Sequence, residues 1–149
     1  MTKDHGAGGH PGQETWQRRL FHRYYHSRPD WVTGTERFRA LLEESLTPGG
    51  SILEIGAGPA NATTDFLAGL GTVTGLDVDP DVAGNAACSE TQLYDGGAFP
   101  LADARFDAVV SNYVLEHVEN PGQMAAECFR VLRPGGVVAF RTPNLWHYV

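Results

Sequence analysis

The chain lacks most of what marks a membrane, secreted or metal-bound protein. No apolar run in its 149 residues approaches the roughly 18 that a membrane-spanning helix needs, so no membrane partner is expected. The opening residues, MTKDHGAGGHPGQE, hold no apolar stretch of the kind a secretory signal carries. There are two cysteines, Cys88 and Cys128, far apart and without a metal-type spacing. They read as small buried hydrophobes in a reducing compartment. These absences point to a cytoplasmic location and to no metal site.

Positive charge is also scarce. Eleven Lys and Arg face eighteen Asp and Glu, for a net charge of −7. Residues 1–39 carry seven basic and four acidic side chains, a net of +3; residues 40–149 carry four and fourteen, a net of −10. An acidic body disfavours a nucleic-acid backbone as main partner, because phosphate binding needs a cationic face. The basic run RRLFHRYYHSR reads as a solvated segment lying on that body, with contact to an anionic substrate as the alternative.

The length suits one domain with a real core and is too short for two ordinary ones. Residues 1–13 are rich in Gly and His, lack apolar periodicity and read as a disordered tail. Residues 14–149 are expected to form a single domain. Between Glu14 and Trp31, the aromatics Trp16, Phe21, Tyr24, Tyr25 and Trp31 suggest a helical piece that packs on the body. Thr33-Gly34-Thr35-Glu36 fits a capping box. Phe38, Leu41, Leu42 and Leu46 then recur at helical spacing until Pro48-Gly49-Gly50 stops the helix.

Short apolar strands and helices alternate from there. Strands are expected at Ser51–Ile55, Thr72–Asp77, Thr91–Tyr94, Phe106–Ser111 and Gly136–Thr142. Helices are expected at Asn61–Leu70 and Asn120–Leu132. The second has Asn120 as cap, Pro121 at its first position, and a buried face of Met124, Cys128 and Leu132. The link from Asp77 to Thr91 is too short and too Gly/Asn-rich for more than a turn or two of helix. Continuous apolar strands separated by helices give an α/β fold: a doubly wound, mainly parallel sheet of about five strands. Ligands bind such sheets at the carboxyl ends of the strands, where the strand order reverses. The turn after the first strand, EIGAGPAN, is expected at that point.

Two ligand classes compete for the turn. A dinucleotide site wants G-x-G-x-x-G, with the pyrophosphate on a helix N-terminus. Gly56 and Gly58 are present, but Asn61 stands where the third glycine belongs. Glu54 also places a negative charge beside the turn. A carboxylate there repels a pyrophosphate and attracts an amine or a sulfonium.

The stretches LEIGAGPAN, VTGLDVDP, LYDGGAFPLADARFDAVVSNYVLEHVENP and RVLRPGG resemble, in order and spacing, the motifs of class I S-adenosylmethionine-dependent methyltransferases. The likeness runs from about Gly50 to Asn144. It implies a Rossmann-like fold, S-adenosyl-L-methionine as cofactor and methyl transfer to a small-molecule acceptor. Glu54, Gly56, Ala57 and Gly58 match the first motif, which wraps the methionine end; Ala60 departs mildly where a third glycine is common. Asp77 matches the acid that takes both ribose hydroxyls, having two acceptor oxygens for two donors. Val78 would pack on adenine. Asp95, with the Gly96 N–H beside it, would take the exocyclic amine. Asn112 and Tyr113 would line the methyl-donor end. His117 would face the reaction as general base, or simply orient its loop. Tyr24, Tyr25 and His26 would close over the site.

The family's sheet has seven strands, ending in an antiparallel hairpin, and this chain ends after the fifth. A second copy or a further C-terminal segment is therefore expected to cover the fifth-strand edge. Two other readings stay open: a non-catalytic cofactor- or partner-binding fragment, and a nicotinamide-dependent oxidoreductase.

Overall fold

The structure is a computed structural model; it describes Trp16, Arg19, Arg23 and residues 32–143. The tail 1–13, Tyr24, Tyr25 and His26 lie outside the described residues. The chain divides into two compact units, residues 1–36 and 37–149. No helix among the described residues is long and apolar enough to cross a membrane.

Helix α1, Gly34–Ser45, begins with the expected capping box. Thr33 Oγ1 accepts from the Glu36 N–H at 3.0 Å, and Glu36 Oε2 accepts from the Thr33 N–H at 2.7 Å. These bonds satisfy two donors that a helix start otherwise leaves unpaired. Phe38, Leu42 and Leu46 are buried, whereas Leu41 is exposed.

Five strands follow: β1 (Ser51–Ile55), β2 (Thr72–Asp77), β3 (Glu90–Leu93), β4 (Phe106–Asn112) and β5 (Leu132–Arg141). They form one sheet in the order β3-β2-β1-β4-β5, and every pairing is parallel. The chain builds outward from β1 to one side, then crosses back to place β4 on the other. The crossover leaves a notch at the carboxyl end of β1. The sequence reading of this α/β Rossmann-like sheet holds, with β1 and β2 at their expected bounds.

Helices α2 (Ala62–Ala68) and α3 (Pro121–Val131) join α1 in covering the sheet. Side chains alternate along each strand, so each strand feeds two cores. On one face Leu53, Ile55, Leu76 and Val109 pack with Met124, Cys128 and Val131 of α3. On the other, Ile52, Val73, Ala108 and Val110 pack with Phe38, Leu42 and Leu46 of the α1 segment and Leu67 of α2. Fully buried leucines such as Leu42, Leu53 and Leu67 contribute about 1.5–3 kcal/mol each.

Three local expectations are corrected. The buried face of α3 ends in Val131, because the helix stops there and Leu132 already pairs with Phe106 in the sheet. For the same reason β5 starts at Leu132 rather than Gly136: residues 133–136 bulge out, and pairing resumes at Val137 opposite Ala108. Helix α2 stops at Ala68, since the Gly69 and Leu70 N–H groups fold back onto Phe66 and Leu67 carbonyls. A 3₁₀ turn, Pro80–Gly84, occupies the short link before β3.

Candidate functional site

The residues that follow β1 form a pocket of about 360 Å³ lined by Glu54, residues 56–63 and Asn112. Its backbone is a glycine turn. Gly56 has φ +78 and Gly58 φ +55, a region that costs other residues about 1–2 kcal/mol. At Gly56 a Cβ would collide with Val114 Cγ2, whereas at Gly58 it would meet nothing within 4 Å. Close packing demands the first glycine; open space toward the notch accompanies the second.

Three polar side chains hold this turn. Asn61 caps α2, its Oδ1 accepting from the Thr63 and Thr64 N–H groups at 2.7 and 3.0 Å. Its Nδ2 donates to the Ala57 carbonyl at 2.6 Å. Asn85 is 3 % exposed and donates to the Ala57 and Gly58 carbonyls and to Thr64 Oγ1, at 3.1, 3.1 and 3.3 Å. Asp77 Oδ2 accepts from the Gly58 N–H at 2.8 Å, and its Oδ1 from the Asp79 N–H at 2.9 Å. Sequence reasoning did not single out Asn85. A buried amide in a Gly/Asn-rich link gives no signal until the link is folded against the turn.

Glu54 sits on the central strand and is 2 % exposed. Burial, first of all, pushes its carboxyl up to about 7; hydrogen bonds from Thr64 and Asn61 oppose this, and the charges of Asp77 and Asp65 add to it. Its Oε2 has no hydrogen-bond partner among the described residues. Glu54 pairs with Val110 across the β1–β4 ladder, and the period of two puts Asn112 on the same face, one step closer to the notch. Asn112 Nδ2 donates to Thr63 Oγ1 at 3.0 Å, while its buried Oδ1 is also without a partner. Two buried acceptors, one of them a carboxylate oxygen, thus line one pocket. Leaving such an acceptor unpaired costs about 1–3 kcal/mol, so the pocket suits a donor-bearing cation.

The other candidate residues ring this pocket at the strand tips and do not line it. Asp77 ends β2 and joins the pocket only through Gly58. Val78 is exposed. Asp95 is exposed just past β3, its Oδ1 accepting from the Gly97 N–H at 2.9 Å, and Gly96 has φ +88. Asp77 and Asp95 both act on Tyr94 through their charge, so the two carboxylates share one neighbourhood. Tyr113 takes φ +59, unusual for a residue with a side chain. Its N–H donates to the Arg141 carbonyl at 2.7 Å and its phenol oxygen accepts from Arg141 Nη2 at 2.9 Å. The Arg141 guanidinium lies 4.6 Å from its ring centre, holding Tyr113 against β5. His117 is exposed on a 3₁₀ turn, Leu115–His117.

Residues 53–140 match a family described as a methyltransferase domain. The chain belongs to this methyltransferase-domain family. Among its relatives is an uncharacterised methyltransferase of Mycobacterium bovis, 39% identical over 97 residues, covering 60% of this chain and 38% of that protein. A Mycolicibacterium smegmatis protein named as a probable S-adenosylmethionine-dependent methyltransferase is 39% identical over 101 residues, covering 64% and 39%. The chain thus spans about two fifths of the length of these curated relatives. Its fold is shared with an S-adenosylmethionine-dependent methyltransferase from Mesorhizobium loti, with a TM-score of 0.61 and 24% identity over 71% of this chain and 51% of that one.

Proposed function

We propose that the pocket after β1 binds S-adenosylmethionine and that the protein carrying this methyltransferase domain transfers its methyl group to a small-molecule acceptor. One observation carries the reading: the buried Glu54 carboxylate has an unpartnered oxygen in the glycine-turn pocket, beside the unpartnered Asn112 Oδ1. That pair of acceptors fits an amino acid's ammonium, which brings the donors. A pyrophosphate suits it poorly, because its oxygens are acceptors too and bring no donor for either atom. Family membership and the relatives' names support the same choice over a nicotinamide cofactor.

The bound cofactor supplies a methyl group already activated by the positive charge of its sulfonium. The chain's own residues bind, orient and exclude water. In this reading the glycine turn and Glu54 hold the methionine end. Asp77 keeps lone pairs free after its bonds to Gly58 and Asp79, and these accept from the ribose hydroxyls. Val78, Asp95 and the Gly96 N–H receive the adenine. Asn112 and Tyr113 border the methyl-donor end. His117 takes the acceptor's proton where the nucleophile carries one. The acidic body supports an acceptor other than nucleic acid. An added segment or a second copy covers the outer edge of β5.

Isothermal titration of the chain with S-adenosylhomocysteine and with NADH tests the cofactor. Binding of the first and not the second is expected; tight NADH binding with no response to S-adenosylhomocysteine overturns the reading. Incubation with methyl-labelled S-adenosylmethionine and a metabolite extract tests the acceptor class. Label in a small molecule is expected, and label confined to protein or nucleic acid overturns that part.

A further inference from the structure

Among the described residues, Ala104 and Tyr113 carry side chains at positive φ, +48 and +59, and only Tyr113 follows a residue that lines the pocket. Its neighbours on both sides are committed. Asn112 ends β4 and lines the pocket, with Nδ2 on Thr63 Oγ1 at 3.0 Å and its buried Oδ1 without a partner among the described residues. Val114 lies against Gly56 so closely that a Cβ there has no room. Ile55 pairs with Ser111, so a β4 that ran on straight would set Asn112 opposite Gly56 and carry Val114 two steps beyond. Val114 reaches Gly56 because the chain turns at Tyr113. The left-handed backbone that makes this turn is costly for any residue with a Cβ, and it persists only where the surroundings hold it.

We infer that Arg141 is a positioning residue for the pocket: it holds Tyr113 in the left-handed conformation and so keeps Asn112 and Val114 where a ligand needs them. The inference rests on the pocket being the S-adenosylmethionine site and adds a residue outside the pocket lining that sets its shape. Arg141 grips Tyr113 through backbone and side chain together. Its carbonyl accepts from the Tyr113 N–H at 2.7 Å, its Nη2 donates to the phenol oxygen at 2.9 Å, and its guanidinium lies 4.6 Å from the ring centre. A second stitch ties the following turn to the same strand end: Thr142 Oγ1 donates to Glu116 Oε2 at 3.0 Å. The end of β5 thus braces the loop from one side, while Gly56 seats Val114 on the other.

The consequence is an inverted order of substitutions at Tyr113. At most positions glycine is looser than alanine and costs more to order. At φ +59 glycine takes the backbone freely and alanine does not. With alanine and no grip, the loop relaxes in the free protein and binding must restore it; glycine meets no such conflict. A tyrosine that served only to present its ring to the ligand would give no such inversion.

The test is calorimetric titration of the full chain and its variants with S-adenosylhomocysteine. Tyr113→Gly is expected to bind about five- to thirtyfold more tightly than Tyr113→Ala, the left-handed cost expressed as affinity. Arg141→Met is expected to weaken binding about tenfold in the parent chain and less than about twofold when Tyr113→Gly is already present, because glycine needs no grip. Tyr113 is exposed, and the comparison of its two variants keeps Arg141 in place, so it decides the matter even if Arg141→Met fails to fold. Tyr113→Gly binding no more tightly than Tyr113→Ala overturns the inference. So does an Arg141→Met variant that binds as the parent does, or one whose loss is equal in both backgrounds, since Arg141 then acts by another route. Each of these outcomes leaves the cofactor reading intact. A parent chain with no response to S-adenosylhomocysteine removes that reading and the inference with it.

Discussion

Gly58 donates its backbone N–H to Asp77 Oδ2 at 2.8 Å, tying the glycine turn after β1 to the tip of the neighbouring strand. Asp77 therefore holds the turn as well as standing where a ribose is proposed to dock. Asp77→Ala is expected to weaken S-adenosylhomocysteine affinity by about 1.5–3 kcal/mol, the range for a hydrogen bond to a charged group. Titration calorimetry checks this. Unchanged affinity removes Asp77 from the site.

Glu54→Gln is expected to stabilise the ligand-free protein at pH 8 and not at pH 4. The folded carboxyl titrates at about 7 and the unfolded one at 4.5. Between those values the folded chain binds more protons than the unfolded one, so stability falls as pH rises through the window. The protonated carboxyl's contribution is complete below 4.5 and lost above 7. Ionisation in the folded state then costs about 3 kcal/mol, which a neutral amide avoids. Urea unfolding of both proteins at pH 4 and 8 measures the difference. A gap that is equal at both pH values contradicts the account.

Gly56→Ala should destabilise the fold by at least about 2 kcal/mol, from its left-handed backbone and from the clash with Val114. Adding Val114→Ala relieves the clash and leaves the backbone cost of about 1–2 kcal/mol. Gly58→Ala meets open space and carries only that backbone cost. Thermal or urea melts of the three variants test the ranking; a Gly58→Ala loss equal to that of Gly56→Ala refutes it.

His117→Ala should leave S-adenosylhomocysteine affinity within twofold, because the side chain is exposed and outside the pocket lining. Turnover with an acceptor that must lose a proton should fall by about 10²-fold or more. Turnover within threefold of the parent would show that the histidine is no base.

Apolar runs and punctuation made most of the fold legible. Asn120-Pro121 announced α3, Thr33 with Glu36 announced α1, and β1 and β2 lie where their β-branched and apolar residues put them. The errors sit at places where the sheet overrides local signals. Leu132 has a helical period with Met124 and Cys128, yet pairing with Phe106 claims it for β5. In the site, Glu54 and the glycines were readable because strand, acid and turn are contiguous. Asn85 and Thr63 were not, because their partners lie 21 or more residues away and their roles exist only after the turn has folded. Nor did the sequence separate the residues lining the pocket from those at its rim, such as Asp77 and Asp95.

With β1 flanked by β2 on one side and β4 on the other, the ligand turn hangs from the most supported strand of the sheet. The tips of β3 and β4 and the outer edge of β5 are free to acquire new lengths of chain while that anchor stays put. Divergence among relatives can then rewrite those surroundings without disturbing the turn itself.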